Sequence, residues 1–425
     1  MKGQKDLPML CQSLKDLLSK MGLGYGNSEG FSMRVSPDPF TLTGQEFSTL
    51  ERRGPLYWEW LRGVNKVYQE GLTNPQLKWL STMFEKGLSP AMIAVQRSVL
   101  GSTPRLLRCD QSSITATCEV QVPMSLGAWG FCQGIILAYP EVFSNHCFGN
   151  PVGDLIQGFL QAMRLSSGKE NPVIFIPQSP KKQYQKAEDF FIRKVAEQGG
   201  KIICAPLEIL QDQERAREID LIYPSSRHRC DEKAAELMLA LMEKGVTLEP
   251  PPNLLFDQKI AIILPFLPES RDFFSDEVRA LFPEARLVGK RDLELADLPA
   301  SKRKEYILKY AGLDPRQKSG GVAVFRFDGS RKEAKRLLER AVQATMRDDY
   351  WILQKLVREK RTIRFWDEEK DQIKEQPMYY RFNPFYLREE NDEIRLFGSV
   401  VCTSTFWKVG GRYDSVIQEV RIGDS

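Results

Sequence analysis

Two histidines stand in 425 residues, His146 and His228. An imidazole-rich zinc site and a His-relayed Ser or Cys nucleophile are both poorly served by so few. The eight cysteines are scattered, with no pair at C-x-x-C spacing. Cys11, Cys109, Cys118, Cys132, Cys147, Cys204, Cys230 and Cys402 fall mostly in apolar runs and read as reduced core residues, which points to a cytoplasmic protein. Neither sign of charge dominates, since 60 Lys and Arg face 56 Asp and Glu for a net charge of +4. That balance argues against nucleic acid or an anionic membrane as partner. No window approaches the roughly 18 apolar residues of a spanning helix. The opening MKGQKDLPMLCQSLKDLLSKMG is amphipathic and broken by charge, unlike a secretory signal. Chemistry is left to carboxylates, lysine, arginine and a metal.

The pattern along the chain predicts four parts. Residues 1–104 read as a helical region. LCQSLKDLLSKMG closes at Gly22, and PLYWEWLRGVNKVYQEGL and NPQLKWLSTMFEKGL repeat the helical spacing after turn signals. The Gly22–Gly26 run follows a helix and reads as a C-cap and loop. Residues 105–150 hold a hairpin and then SLGAWGFCQGIILAYP, whose Gly127–Gly130 stretch permits close backbone approach and precedes a helix. Residues 151–250 alternate PVIFIP, KAEDFFIRKVAEQGG, KIICAPL and IDLIYP, which suits βαβ units and a small parallel sheet. Pro-rich LEPPPNLL marks a boundary. Residues 251–425 form the last part, with strands at EYILKYA, GGVAVFRFD, YWILQKLV, YYRFNPFYL and IRLFGSVVCTSTFW around one helix. QKIAIILPFL suits a buried strand or a helix equally.

LLRCDQSSITATCEVQV is the most chemical stretch. Alternating apolar residues and Thr, with DQSS as turn chemistry, predict a hairpin. Asp110, Glu119 and Gln121 would then meet at one end of the ribbon, Glu119 and Gln121 sharing a face. Such oxygen ligands suit Mg²⁺, which is usually held by one or two carboxylates plus phosphates. A plain ion pair between Arg108 and Asp110 is the bland alternative.

Three further signals point to nucleotide. Lys309 ends the strand YILK, and a polar DPRQKS loop with Gly320-Gly321 leads into the next strand, an arrangement that can clamp phosphates. Gln354-Lys355-Leu356 ends another strand, where a polar side chain and exposed amides can read a base edge. Lys259, two residues after Asp257, is either half of a surface pair or a second phosphate ligand. Each has an ordinary counterpart, such as a solvated lysine, a Gly-rich hairpin turn or a plain strand end.

Taken together and in this order, the segments resemble the ATP-grasp carboxylate–amine ligases, in the circularly permuted branch that includes the glutathionylspermidine synthetases. There the metal-binding segment precedes the phosphate-binding lysine, as RCD…EVQ here precedes ILKYAG…SGG and ILQKLV. The likeness covers roughly residues 105–425. It implies an α+β ATP-grasp core with a small α/β unit beside it and ATP between two sheets. It implies Mg²⁺ on Asp110, Glu119 and Gln121. ATP would be held by Lys259, Lys309, Gly320, Gly321 and the 354–356 hinge. Arg108 would be the catalytic cation that holds a substrate carboxylate and its oxyanion. The implied reaction joins a small carboxylate to an amine through an acyl phosphate. Gln121 stands where the family has Asn, and Gln258 is inserted between Asp257 and Lys259. The looser LIYPSSRHR match lies in the α/β unit. Gly127–Gly130 and DPRQKS are candidate lids. Tyr380-Arg381, Trp407-Lys408, Gly410-Gly411-Arg412 and Asp414 form another polar cluster near the C-terminus, where TFWKVGGRYDS is a substrate loop or a Gly-Gly hairpin. The alternatives are a non-catalytic relative that binds nucleotide or a protein partner, a scaffold recruiting through its N-terminal helices, and a nucleotide-sugar transferase, which would need a nucleotide site in 171–225, where no Gly-rich βα turn is found.

Overall fold

The computed structural model describes residues 6–23, 32–122, 124–144, 149–178, 182–224, 231–313, 323–410 and 414–423. Helices dominate up to residue 98 and three sheets follow, in a mixed α+β arrangement. Thr43 starts the longest helix, Gly44–Thr73, with a capping box in which Thr43 and Glu46 satisfy each other's backbone amides. The helix runs through Pro55 instead of beginning there. Its start is decided by the Thr43 cap, while the proline forgoes only the amide bond to the preceding turn. Tyr57, Trp58, Trp60, Leu61, Val64, Val67 and Tyr68 give it a fully buried flank.

A nine-stranded sheet forms the centre. Its main path runs from Arg34–Val35 through Val416–Ile422, Ile394–Ser404, Gln372–Arg388 and Leu106–Ser113 to Ala116–Gln121. The early hairpin and the C-terminal strands thus belong to one sheet, although about 270 residues separate Asp110 from the strand beside it. Two short strands, Arg34–Val35 and Phe40–Leu42, pair in parallel with Val416–Ile422. Strand alternation sorts the side chains. Tyr380, Phe382 and Val401 turn to the core shared with the long helix. Phe385, Val400 and Cys402 turn to the core under helices Leu126–Phe143 and Leu155–Ser167. Ser125 caps the first of these helices, and Gly127 and Gly130 lie inside it. A methyl on Gly130 would sit 2.0 Å from the Ala187 carbonyl oxygen, so the predicted close backbone approach is real. The stretch is packed helix, not a lid.

The hairpin turn differs from the one predicted. Asp110 to Ser113 stay in the strand and the chain reverses at Ile114-Thr115, where Ser113 Oγ accepts from the Thr115 amide. Asp110 does not cap a turn because cations and an amide from neighbouring positions hold its carboxylate.

The predicted parallel sheet is present, with strands Lys201–Ala205, Val173–Pro177, Leu221–Ile222 and Thr247–Leu248 in that order. A third, antiparallel sheet holds Ala285–Leu287, Trp351–Lys355, Tyr306–Tyr310 and Val324–Arg326. One of its faces packs on helix Arg331–Thr345 through Leu308, Tyr310, Trp351 and Leu353. Its other face carries Ile307, Lys309, Ile352 and Gln354, one register apart. QKIAIILPFL is a buried 3₁₀ stretch, Lys259–Phe266, neither strand nor α-helix.

Candidate functional site

The hairpin sets Arg108 opposite Gln121 and Asp110 opposite Glu119. Opposed residues share a face of an antiparallel pair, so all four side chains project together, as the spacing predicts. The neighbouring strand matches Phe382 to Gln111 and Phe385 to Arg108, which brings Asn383 alongside Asp110. Asn383 Nδ2 donates to Asp110 Oδ1 at 2.7 Å, and an Arg108 nitrogen lies 3.0 Å from the same oxygen. Asp110 Oδ2 takes a weak bond from Gln121 Nε2 at 3.4 Å and has Arg381 at 3.7 Å. Arg108 donates to Gln121 Oε1 through one terminal nitrogen and to the Met124 thioether at 3.1 Å through the other.

This setting fixes the charge of Asp110. Burial pushes its carboxyl up, but Arg108 and Arg381, with Lys309 behind them, outweigh burial and hold it below the ordinary carboxylate value. It is ionised at neutral pH.

Lys309 reaches this hairpin from the antiparallel sheet. It is 5% exposed, and its ammonium donates to the Cys118 carbonyl at 3.2 Å, next to Glu119. Early carboxylates and the late lysine therefore share one site. Burial lowers the Lys309 pKa, Cys118 and Glu119 draw it back up, and Lys259 and Arg358 lower it again; the net shift is downward. Arg358 also reaches the hairpin, its Nη1 lying 3.9 Å from the Cys118 sulfur. Lys259 stands 3.6 Å from Glu119, a carboxylate whose side chain is about one-third exposed. The inserted Gln258 would turn Lys259 away on a strand. In the 3₁₀ turn that parity does not apply, and Gln258 instead donates to the Phe84 carbonyl at 3.0 Å.

Gln354 lies on the same sheet face as Lys309, 1% exposed, with neither amide atom hydrogen-bonded among the described residues. The expectation of exposed hinge amides is corrected. The Lys355 amide donates to Glu284 O at 2.8 Å and the Leu356 amide to Glu305 O at 2.6 Å. Both are spent on strand ends that close the sheet, and the Lys355 side chain is exposed. Gly320 and Gly321, with the DPRQKS loop, lie outside the described residues, as do Tyr25, Arg227, Arg412 and both histidines.

Sequence reasoning left out Asn383 and Arg358 and set Arg381 in a separate C-terminal cluster. Arg381 and Asn383 are polar residues two apart in the mostly aromatic and apolar stretch YYRFNPFYL, which marks one face of it. Lys408 of that cluster does approach the site, donating at 3.4 Å to the carbonyl of Val324, the residue paired with Lys309.

The set does not form a ready Mg²⁺ cage. Both Asp110 oxygens and Gln121 Oε1 are turned to cations or amides, and Glu119 faces Lys259. Among the described residues no group of three His, Cys, Asp or Glu is arranged to hold a metal. Nor is any described helix long and apolar enough to cross a membrane.

No family model matches the chain, and no curated protein matches it. Its structure is similar to that of a glutathione synthetase-like effector from Globodera pallida in its apo form. That likeness has a TM-score of 0.61 and covers 99% of this chain and 98% of the other at 12% identity. The fold is ATP-grasp-like. At 12% identity the likeness reaches no further than fold. Carboxyaminoimidazole ribonucleotide synthase from Aspergillus clavatus, complexed with ATP, also matches, over 54% of this chain and 70% of that one. Its TM-score is 0.26 at 12% identity, too low to bear on the ATP-grasp-like protein described here.

Proposed function

We propose that this protein is an ATP-dependent carboxylate–amine ligase of glutathionylspermidine synthetase-like type, working through an acyl phosphate on small-molecule substrates. One observation carries the reading. The Lys309 ammonium, on one sheet, meets the Glu119 strand of another within a cluster of cations. A fold shared end to end with a glutathione synthetase-like protein supports it.

In this reading Lys309, Arg358 and Lys259 hold the phosphates, and Gln354 presents a donor and an acceptor to the base. Arg108 orients the acid substrate. Its bond to Met124 is to a thioether, a weak acceptor, so an incoming carboxylate readily replaces it. A carboxylate oxygen attacks the γ-phosphorus, the bond to ADP breaks, and an acyl phosphate results. The amine nitrogen then attacks the acyl carbon, phosphate leaves, and the nitrogen gives up a proton. Arg108 and Arg381 are placed to stabilise the oxyanion of that step.

The test is phosphate release from ATP over a panel of acids and amines. Release that needs both substrates and disappears in Lys309→Ala is the expected result. No ATP consumption with any pair, from protein that binds ATP, would leave a non-catalytic nucleotide-binding relative. The saturation of Asp110 and Gln121 by protein groups favours that second reading.

A further inference from the structure

We propose that this site binds the phosphates of its nucleotide directly on cationic side chains and needs no divalent metal ion to do so. The inference rests on the nucleotide reading of the site and specifies how the ligand's charge is met.

Counting charges around the hairpin decides it. Among the described residues, the carboxylates that meet the cations Arg108, Lys259, Lys309, Arg358 and Arg381 in this cluster are Asp110 and Glu119. Asp110 is held by Arg108 and Arg381 at 3.0 and 3.7 Å. Glu119 has Lys259 at 3.6 Å. Lys309 makes no ion pair among the described residues, although it is 5% exposed, and its one acceptor is a backbone carbonyl. Arg358, half-buried, meets the Cys118 thiol and no carboxylate among the described residues. Buried cations without carboxylates are costly on their own, and an incoming polyanion supplies the missing charge.

A divalent cation is in the opposite position. Both Asp110 oxygens, Gln121 Oε1 and Glu119 Oε1 already accept from, or face, a positive or amide group. To bind there it would displace Arg108 or Lys259 and sit beside Lys309. Mg²⁺ also requires near-ideal octahedral geometry, and the ribbon offers no set of free oxygens for it. Gln354 adds an independent sign that something polar enters the cleft. It is buried, has no hydrogen-bond partner among the described residues, and projects from the same sheet face as Lys309. The cleft is thus matched to a ligand with both a polyphosphate and a hydrogen-bonding base.

Glu119 distinguishes the two modes. If it were a metal ligand, Glu119→Gln would weaken ATP binding in the presence of Mg²⁺. If phosphates bind the cations directly, the same change removes a repulsive charge and frees Lys259. The full chain is titrated calorimetrically with ATP in excess EDTA and again in excess Mg²⁺, for the parent and for Glu119→Gln. We expect parent dissociation constants in the two buffers to agree within about threefold, because few ligands are left for the metal. Glu119→Gln should tighten ATP binding in EDTA by about 3–10-fold, the effect of one like charge at partly exposed range. ATP binding that appears only with Mg²⁺ overturns this inference and leaves the nucleotide reading standing. So does a Glu119→Gln variant that loses Mg²⁺-ATP binding. If ATP binds in neither buffer, the nucleotide reading fails and takes this inference with it.

Discussion

Replacing Lys309 with Met should stabilise the apo protein while removing its response to ATP. Met keeps the length and apolar stem of the side chain and discards the ammonium. Two effects oppose each other. The bond to the Cys118 carbonyl, 3.2 Å long, is lost, at a net cost of about 1 kcal/mol. Against that, a buried ammonium with no carboxylate partner among the described residues is removed. A buried ion carries a penalty of several kcal/mol, on the order of 3. Desolvation wins, for a net gain of about 1–2 kcal/mol. The pH dependence has a definite sign. Burial leads a net lowering of the Lys309 pKa from 10.5, so the unfolded chain holds this proton more tightly than the folded one. The cost is therefore complete below the folded pKa and fades as pH rises toward 10.5, where stability increases with pH. Urea denaturation of parent and variant at neutral pH, with and without ATP, gives the answer. ATP at about 100 times its dissociation constant should add about 2.7 kcal/mol to the parent and nothing comparable to the variant. A variant less stable than the parent by about 1 kcal/mol or more, or one equally stabilised by ATP, would refute the reasoning.

Asp110→Ala should destabilise the fold by about 3–5 kcal/mol in urea titrations, because it removes the buried carboxylate that Arg108 and Arg381 share. Burial opposes ionisation of Asp110, but the flanking guanidiniums lower its pKa overall, so its contribution is present above its unfolded value of 3.8. Measured over a pH series, the parent's advantage should hold near neutrality and shrink as pH falls through that region; an advantage that grows in acid contradicts the assignment. Gly130→Ala forces a methyl to within 2.0 Å of the Ala187 carbonyl and should lower stability by about 1–3 kcal/mol, since backbone on both sides must part. An unchanged unfolding midpoint would disprove the contact. Gln354→Leu removes two buried amide atoms that lack partners and should raise apo stability by about 1–2 kcal/mol while eroding discrimination between ATP and GTP in competition binding. Loss of stability would mean that the amide is satisfied after all.

Much of the site was legible because strand parity is local. Arg108 shares a face with Asp110, and Glu119 with Gln121, whatever the turn; the hairpin register then joins the two pairs, and Lys309 sits on a strand read directly from YILK. Its meeting with the hairpin followed only from the order of segments shared with the ATP-grasp ligases. The hinge failed for a local reason. Whether the amides of 355 and 356 are open depends on Glu284 and Glu305, whose carbonyls arrive from other segments. The long helix was misjudged at Pro55 because a proline was read as a start, although Thr43 already capped the helix a full three turns earlier.

Sequence alone determined where most helical and extended segments lie and which side chains of a strand share a face, since periodicity and caps act over a few residues. It determined that chemistry here rests on carboxylates and cations, because histidines are nearly absent. Tertiary structure alone decided how those charges are matched. Asp110 finds Asn383 273 residues away, while Lys309 finds a carbonyl and no acid among the described residues. Ionic partners are set by which strands become neighbours in space, and burial then makes each match or mismatch count for several times its value in water.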